Sequence, residues 1–177
     1  MAIACQSFLP SWRPGRDYRT SYSADAREGG VLRDLSHEID YATWLFGSPA
    51  GAVFALLGST NRLEIAAEET ADLTWHVAGG AVVRVHLDYV TRHARRTMLA
   101  QGADGEIEWD AIANTVRLRG EAEDEVVQIA PDRNAMMRAQ ARAFLAEDDA
   151  AKADLCTLAE GLAVVELCEA ARAFSPR

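Results

Sequence analysis

Two stretches of alternating apolar and polar residues, 71–77 and 83–89, constrain the fold of this chain more than any other feature. A period of two is typical of a half-buried β-strand, because successive side chains of a strand point to opposite faces. Gly79-Gly80 lies between the two stretches and favours a tight hairpin turn. The pattern therefore predicts two antiparallel strands with one face in the core. The residues expected on that face are Ala71, Leu73, Trp75 and Val77, then Val83, Val85, Leu87 and Tyr89.

The same alternation continues through the middle of the chain. Further strands are predicted at 51–60, 95–101, 105–109, 113–119 and 125–130. Asp104-Gly105 and Arg119-Gly120 are turn signals between them. Residues 50–130 are therefore expected to form an antiparallel meander.

A strand and a helix are predicted ahead of the meander. Residues 2–8 predict a strand, and a long loop follows it as far as Gly30. Over 31–46 the apolar residues recur at helical spacing, and Gly47 with Pro49 ends the helix. The apolar stripe is Leu35, Ile39, Ala42 and Phe46, and the opposite stripe is Asp34, His37, Tyr41 and Trp44.

Two helices are predicted after the meander, over 132–174. Pro131-Asp132 marks the start of the first, in which Met136 and Phe144 belong to the apolar side. Asp154 is a candidate cap for the second helix. The residues expected to pack that second helix on the sheet are Leu155, Leu158, Leu162, Val165 and Cys168.

This order of elements predicts an α+β fold: an open, mainly antiparallel β-sheet with helices packed on one face. The 177 residues fit one domain, 1–177, because a chain of this length buries roughly two thirds of the surface of its unfolded form. Its parts are the strand and flap loop (1–30), the helix (31–46), the sheet (50–130) and the C-terminal helices (132–174).

The composition excludes several classes of function. With 49% hydrophobic and 25% charged residues, the chain resembles ordinary globular proteins. No apolar run approaches the roughly 20 residues that span a bilayer, so no membrane partner is expected. A formal net charge of -9 disfavours nucleic acid, whose binding depends on Lys and Arg at phosphates. The three cysteines form no CxxC pair, and we expect reduced thiols in a cytoplasmic protein.

The flap loop from Leu9 to Gly30 is long for a compact domain, and such loops are usually functional or disordered. Its aromatic residues argue against disorder. Aromatic rings and guanidinium groups serve sugar recognition, but they also serve packing. A substrate-binding flap and a packed flap without a ligand therefore both stay open for Trp12, Arg13, Tyr18, Arg19 and Tyr22.

The segment after the flap carries a motif. It begins with Gly29-Gly30, continues through Asp34 and His37 to Asp40, and ends at Trp44-Leu45-Phe46-Gly47. This segment resembles the active-site helix of the glucose-fructose oxidoreductase, inositol dehydrogenase and rhizopine-catabolism (Gfo/Idh/MocA) family. The His37-x-x-Asp40 step matches that family's pattern. The Asp34-to-His37 step is three residues, where the commonest form of the family has four.

The resemblance extends from Ala2 to about Phe174, with strand, flap, sheet and last helix in family order. It implies the family's C-terminal, substrate-binding domain, which takes a small-molecule sugar and is preceded by a Rossmann domain holding NAD or NADP. It also implies a homodimer built on the open sheet face. The polar residues expected on that face are Thr74, His76, Arg84, His86 and Asp88.

The parts that hold the dinucleotide are missing from this sequence. No GxGxxG follows a strand, and the only lysine, Lys152, does not match the family's Glu-Lys-Pro lysine. We therefore expect this chain to bind neither NAD nor NADP and to be inactive alone. A separate or missing Rossmann domain would complete the enzyme.

Oxidation of a sugar carbinol needs a group that accepts the hydroxyl proton. His37 is the candidate, since imidazole changes charge near neutral pH. Asp34, three residues earlier on the same predicted helix face, is expected to orient it. Both have structural alternatives: Asp34 as a first-turn carboxylate that stabilises the helix, and His37 as a capping or core residue. Tyr41, on the same stripe, joins the candidate substrate-binding residues.

His76 and His86, with Asp88 nearby, invite interpretation as a metal site. They belong to the alternating polar face, where cross-strand polar pairs need no metal. Neither HxH nor HExxH spacing is present. We therefore expect no metal.

Two interpretations from other classes stay open. A free-standing sugar-binding or dimerisation module without redox activity is favoured by the absent cofactor half, whereas the intact Asp34 and His37 favour the oxidoreductase. An unrelated cone-shaped α+β ligand-binding domain would make the segment from Gly29 to Asp40 a coincidence.

Overall fold

The computed structural model of the protein describes residues 1–121, 124–129, 132–146, 148–153 and 155–174. These residues form one eight-stranded sheet in the order β2-β3-β4-β1-β5-β6-β7-β8. The strands are β1 (Ala2–Phe8), β2 (Phe54–Gly58), β3 (Thr70–His76), β4 (Val82–Asp88), β5 (Val90–Gly102), β6 (Gly105–Asp110), β7 (Thr115–Gly120) and β8 (Asp124–Gln128).

Strand β1 lies inside the sheet, because it pairs with β4 on one side and with β5 on the other. The β1–β4 pair is parallel, and the other neighbouring pairs of described strands are antiparallel. The prediction of an open, mainly antiparallel sheet is therefore confirmed, and this one parallel pair makes the sheet mixed.

The described helices are α1 (Val31–Asp34), α2 (Ser36–Phe46), α3 (Arg133–Leu145), α4 (Asp149–Lys152) and α5 (Leu158–Phe174). The single helix expected over 31–46 is divided at Leu35, which has φ -105° and ψ 22°. The division follows Asp34, whose carboxylate is bonded to the sheet at Tyr89. A tight hydrogen bond of 3.0 Å from Glu38 N to Leu35 O spans the bend. Helix α2 ends at Gly47, as predicted, where φ is 98°.

The core lies between the sheet and helices α1, α2 and α5. The apolar half of each alternating stretch is buried, from Ala71 to Val77 and from Val83 to Tyr89. Leu35, Ile39 and Ala42 are buried in the same cluster, with Phe46 packed against it. The period-two strands and the apolar helix stripe are therefore both confirmed.

Helix α5 packs through a face that shares only Cys168 with the predicted one. Its buried residues are Val164, Leu167, Cys168 and Ala171. Leu158, Leu162 and Val165, which were expected in the core, are 90%, 55% and 52% exposed. The helix has apolar residues on two sides at helical spacing, so periodicity alone could not select the packed side.

The boundaries of the C-terminal helices are set by side-chain caps. Asp132 starts α3 as predicted, because its carboxylate accepts a 3.0 Å hydrogen bond from Asn134 N. Before α5, Thr157 Oγ1 accepts from Glu160 N at 3.2 Å, and the Glu160 carboxylate accepts from Thr157 N at 2.7 Å. This reciprocal pair is a capping box. Pro131 and Asp154, the other two predicted boundary residues, lie outside the described residues.

Helix α3 exposes much of its apolar side, including Met136 (53%) and Phe144 (74%). None of the described helices combines the length and the apolar character needed to cross a bilayer. Each of the three cysteines is unpaired, with Cys5 and Cys168 buried and Cys156 exposed.

Candidate functional site

The two glycines of the motif allow the flap loop to approach the first helix closely. A Cβ atom on Gly29 would lie 2.0 Å from the backbone oxygen of Tyr22. Gly30 has φ 92° and ψ 156°, a conformation close to one that only glycine adopts. Packing explains the first glycine, and backbone conformation explains the second.

The side chain of Glu68 occupies the N-terminus of α1. Its Oε1 accepts a 3.3 Å hydrogen bond from Leu32 N and lies 2.9 Å from Nη2 of Arg172 on α5. Arg172 also donates to the backbone oxygen of Gly29. A negative group at a helix start satisfies free N–H groups and the helix dipole. This helix start is therefore already filled by an anion of the chain itself.

His37 lies in the first turn of α2, with its side chain 51% exposed. Its Nε2 atom is 3.0 Å from Oε1 of Glu38, and Nε of Arg96 on β5 is 2.8 Å from the same oxygen. Glu38 itself is fully buried. The carboxylate beside His37 is therefore Glu38, and a guanidinium balances its charge.

The contacts around Glu38 have hydrogen-bond distances but lack hydrogen-bond alignment. Both carboxylate oxygens, the Tyr41 hydroxyl and Arg96 Nε are buried without an aligned partner. Small rotations would align them, since separations of 2.8 and 3.0 Å are already those of hydrogen bonds. Burial and then the charge of Glu38 raise the pKa of Cys5 to about 12 and raise the pKa of Tyr41 above its usual range.

Asp34 belongs to a separate polar cluster. Its carboxylate accepts a hydrogen bond from the hydroxyl of Tyr89, which is fully buried directly after β4. Burial and then this bond raise the pKa of Tyr89. The Tyr22 hydroxyl also interacts with Asp34, and that hydrogen bond followed by burial raises the pKa of Tyr22. Asp34 therefore links the first helix to both the flap and the sheet.

The predicted pairing of Asp34 with His37 does not form in this structure. Helix α1 ends between them, and each side chain has another partner: Tyr89 for Asp34 and Glu38 for His37. Asp40, the last residue of the motif, lies 3.7 Å from Cys156 Sγ through its Oδ1 atom. Of these two carboxylates, Glu38 and not Asp34 lies beside the His37 ring.

The flap encloses a cavity of about 190 Å³. Its aromatic and arginine lining consists of Trp12, Arg13, Arg16, Tyr18 and Tyr22. Trp12 is fixed by an edge-on contact with the Tyr89 ring, at 5.3 Å between centroids, and by a 3.0 Å hydrogen bond from its Nε1 to Ser7. The structure thus brings four of the predicted substrate-binding residues to one cavity, and Tyr22 connects that cavity to Asp34.

The remaining two candidates, Arg19 and Tyr41, do not line the flap cavity. The guanidinium of Arg19 is 2.9 Å from Asp17 and 2.9 Å from Glu64, so it is engaged within the chain. Tyr41 packs edge-on against Trp109 of β6, with 5.7 Å between ring centroids. It borders a wider cavity of about 700 Å³ between α2 and α5.

Of the polar residues expected on the open face of the sheet, His76 and Arg84 are exposed and Thr74 and His86 are half-buried, whereas Asp88 is buried. His86 Nδ1 is 2.7 Å from Asp72, and His86 Nε2 is 3.4 Å from Asp88. Asp88 also accepts 2.8 Å hydrogen bonds from Gln6 and from Thr91 Oγ1. Among the residues that the structure describes, no three His, Cys, Asp or Glu side chains form a group suited to a metal ion.

Three residues of this region were not predicted from the sequence: Glu38, Arg96 and Tyr89. Glu38 carried a detectable signal, because it lies three residues after Leu35 and four before Ala42, at the border of the apolar stripe. Arg96 precedes the buried Met98 by two residues and therefore shares its face of β5. Tyr89 was assigned to the core, but nothing local indicated Asp34 as its partner.

Strands β2 to β5 of the open sheet and the glycine-led helix with His37 lie within the part of the chain that a sequence profile matches. The sequence profile described as the GFO/IDH/MocA C-terminal domain matches residues 3–108, more than half of the chain. The chain therefore belongs to the GFO/IDH/MocA family, and the matched region is its C-terminal domain.

Solved structures share this fold. A UDP-N-acetylglucosamine 3-dehydrogenase from Acidithiobacillus ferrooxidans has a TM-score of 0.73 at 19% identity, covering 98% of this chain and 52% of that one. Levoglucosan dehydrogenase in complex with NADH and L-sorbose has a TM-score of 0.80 at 16% identity, covering 98% of this chain and 55% of that one. An NAD binding oxidoreductase from Klebsiella pneumoniae has a TM-score of 0.76 at 11% identity, covering 98% of this chain and 55% of that one. The chain thus spans about half the length of these proteins. No curated protein sequence matches it.

Proposed function

We propose that this chain is the substrate-binding half of an NAD(P)-dependent oxidoreductase that acts on a sugar or a sugar derivative. The observation that carries the proposal is the family match over residues 3–108, which includes the glycine-led helix with His37. Two of the structurally similar proteins are named as dehydrogenases of UDP-N-acetylglucosamine and levoglucosan, which supports a sugar as the substrate class.

His37 is the proposed catalytic residue. Its half-exposed imidazole suits a group that accepts the proton of a sugar hydroxyl, since such a group must reach the substrate while changing charge near neutral pH. Asp34 is proposed to act through Tyr22 and Tyr89, so that it positions the flap against the sheet. The flap residues Trp12, Arg13, Tyr18 and Tyr22 are proposed to hold the sugar. Arg19 and Tyr41 would support their neighbours from outside that cavity.

The residues of this chain do not fit a nicotinamide dinucleotide. No GxGxxG is present, and the start of α1, which follows the two glycines, already holds the Glu68 carboxylate. The dinucleotide, NAD or NADP, is therefore assigned to a separate half, where it would act as the hydride acceptor. A reducing compartment such as the cytoplasm suits the three unpaired thiols.

The direct test joins the chain to a dinucleotide-binding domain. A Rossmann domain of the family is fused ahead of Ala2 or co-expressed, and reduction of NAD and of NADP is followed with a panel of sugars and nucleotide sugars. We expect turnover with at least one sugar. A folded hybrid that binds the dinucleotide, binds a sugar and yet turns over none would favour a sugar-binding module without redox activity.

The isolated chain is expected to show no appreciable affinity for NAD or NADP, because Glu68 and Arg172 fill the glycine-led start of α1. Isothermal titration calorimetry of the 177-residue chain with each dinucleotide checks this prediction. The fused protein serves as the positive control. Micromolar binding by the isolated chain would contradict it.

A symmetric homodimer through the open sheet face is also proposed, because that face is broad and polar and extends across the eight strands of the sheet. Ala4 lies near the centre of that face, beside His86 of β4 and Thr97 of β5.

Ala4→Glu would place a carboxylate in the middle of this interface, and the two-fold axis would bring the same carboxylate of the partner close to it. We expect sedimentation velocity to show a dimer for the natural chain and a monomer for the variant. Ala159→Glu, at an exposed position of α5, is the matched control. A natural chain that is monomeric at high micromolar concentration would refute the proposal.

A further inference from the structure

Glu38 is fully buried although it directly follows the half-exposed His37 on α2. A carboxylate withdrawn from water is costly unless charged and hydrogen-bonding partners accompany it. Its charged partner is Arg96, with Nε at 2.8 Å from Oε1. Since a hydrophobic side chain would fill the same space without needing a charged partner, packing alone does not account for a glutamate here.

The Arg96 side of this network is held in place by packing. The guanidinium of Arg96 lies over the Trp109 ring at 5.5 Å from the centroid. Tyr41 packs edge-on against the same ring, with an interplanar angle of 87°. Burial and the charge of Glu38 raise the pKa values of Cys5 and Tyr41, so both keep their protons. The imidazole of His37, with its side chain 51% exposed, is the member of this network most open to solvent.

The two oxygens of Glu38 are buried acceptors without an aligned donor. An unsatisfied buried acceptor strongly favours any donor within reach. Nε2 of His37 is already 3.0 Å away, and a small rotation of the ring would direct an N–H at the carboxylate. The Nδ1 atom of the same ring would then keep its lone pair for another group.

We infer that Glu38 is a positioning residue, which holds the Nε2–H of neutral His37 and leaves Nδ1 as the atom that accepts the substrate's proton. The inference rests on the proposed function of His37. In the proposed reaction, the hydroxyl O–H bond would break as Nδ1–H forms and the carbinol would become a carbonyl. A nicotinamide dinucleotide on the other half would supply the acceptor for the carbinol hydride. The imidazolium that results has its positive charge beside the Glu38 carboxylate, which stabilises it.

The inference can be tested in the isolated chain by nitrogen-15 NMR of the histidine rings. A ring N–H bonded to a buried carboxylate exchanges slowly with water and resonates far downfield. We expect such a signal at Nε2 of His37, assigned by its loss in His37→Gln. In Glu38→Gln the neutral amide should move it upfield and speed its exchange. Asp40→Asn, two residues further along α2, is the matched control and should leave the signal unchanged.

His86 provides an internal comparison, because its Nδ1 atom faces Asp72 at 2.7 Å. A slow Nδ1–H signal from that ring should disappear in Asp72→Asn. A slow Nε2–H signal from it would instead reflect Asp88, which lies 3.4 Å from Nε2. The His37 signal should not respond to Asp72→Asn. Absence of a slow Nε2–H signal for His37 in the natural chain would overturn the inference. So would a His37 signal that Glu38→Gln leaves unchanged. If Glu38→Gln fails to fold because Arg96 loses its counter-charge, the double change Glu38→Gln with Arg96→Gln removes both charges together.

In the fused enzyme, Glu38→Gln should lower kcat by about 10- to 100-fold with little change in KM. This range is that for loss of a carboxylate supporting a metal-bound histidine, which orients an imidazole in the same way. Unchanged kcat in a folded Glu38→Gln enzyme would overturn the inference. If the fused enzyme with the unsubstituted chain has no activity, the proposed function fails. The NMR signal of the isolated chain still reports whether Glu38 holds the His37 ring.

Discussion

Gly30→Ala is expected to lower the free energy of unfolding by about 3 kcal/mol. Two effects add at this position. The backbone at φ 92° and ψ 156° is a conformation that a residue with a Cβ strongly avoids. A Cβ atom would also lie 2.1 Å from Oε1 of Glu68, which is bonded to Leu32 N and to Arg172. Moving Glu68 aside would therefore release the helix start and the contact with α5 at once.

Urea unfolding of the isolated chain, followed by tryptophan fluorescence and circular dichroism, measures this loss. Small domains have about 5 to 15 kcal/mol of stability in total, so the shift in the midpoint should be large. Gly51→Ala is the matched control, because a Cβ there meets nothing within 4 Å. Equal midpoints for Gly30→Ala and Gly51→Ala would show that the glycine-led turn is not under the constraint described.

The strands of the sheet could be predicted because the signals that mark them lie within short segments of the sequence. Alternation at 71–77 and 83–89 identifies two strands, and Gly79-Gly80 identifies their turn, without reference to any distant residue. The parallel pairing of β1 with β4 could not be predicted in this way. It joins Ala4 to His86, which are far apart in the sequence, and no turn signal marks such a pair.

The polar contacts of the candidate site were less predictable, because they too join residues that are distant in the sequence. Asp34 and His37 are three residues apart, which on a continuous helix would place them together. The partners that separate them, Tyr89 and the Glu38–Arg96 pair, depend on how the first helices sit on the sheet. Helix α5 shows a related limit, since two apolar faces at equal spacing gave no basis for choosing between them.

His37→Ala in the fused enzyme is expected to lower kcat by about 10²- to 10⁴-fold, the usual contribution of a positioned acid or base. The loss should appear in kcat and in kcat/KM alike, because proton acceptance is an interaction made in the transition state. Steady-state kinetics with saturating dinucleotide and the best sugar of the panel measure it. His93→Ala, an exposed histidine on β5 outside the proposed site, is the matched control and should keep normal turnover.

A catalytic His37 and a structural one differ in what His37→Ala changes. A catalytic imidazole accepts the substrate's proton, so the variant should lose turnover per folded molecule. A structural histidine would instead lower stability, which the unfolding midpoint detects, while turnover per folded molecule stayed unchanged. Near-normal kcat for folded His37→Ala across about pH 6 to 9 would therefore exclude His37 as the proton acceptor and return it to a helix-packing role.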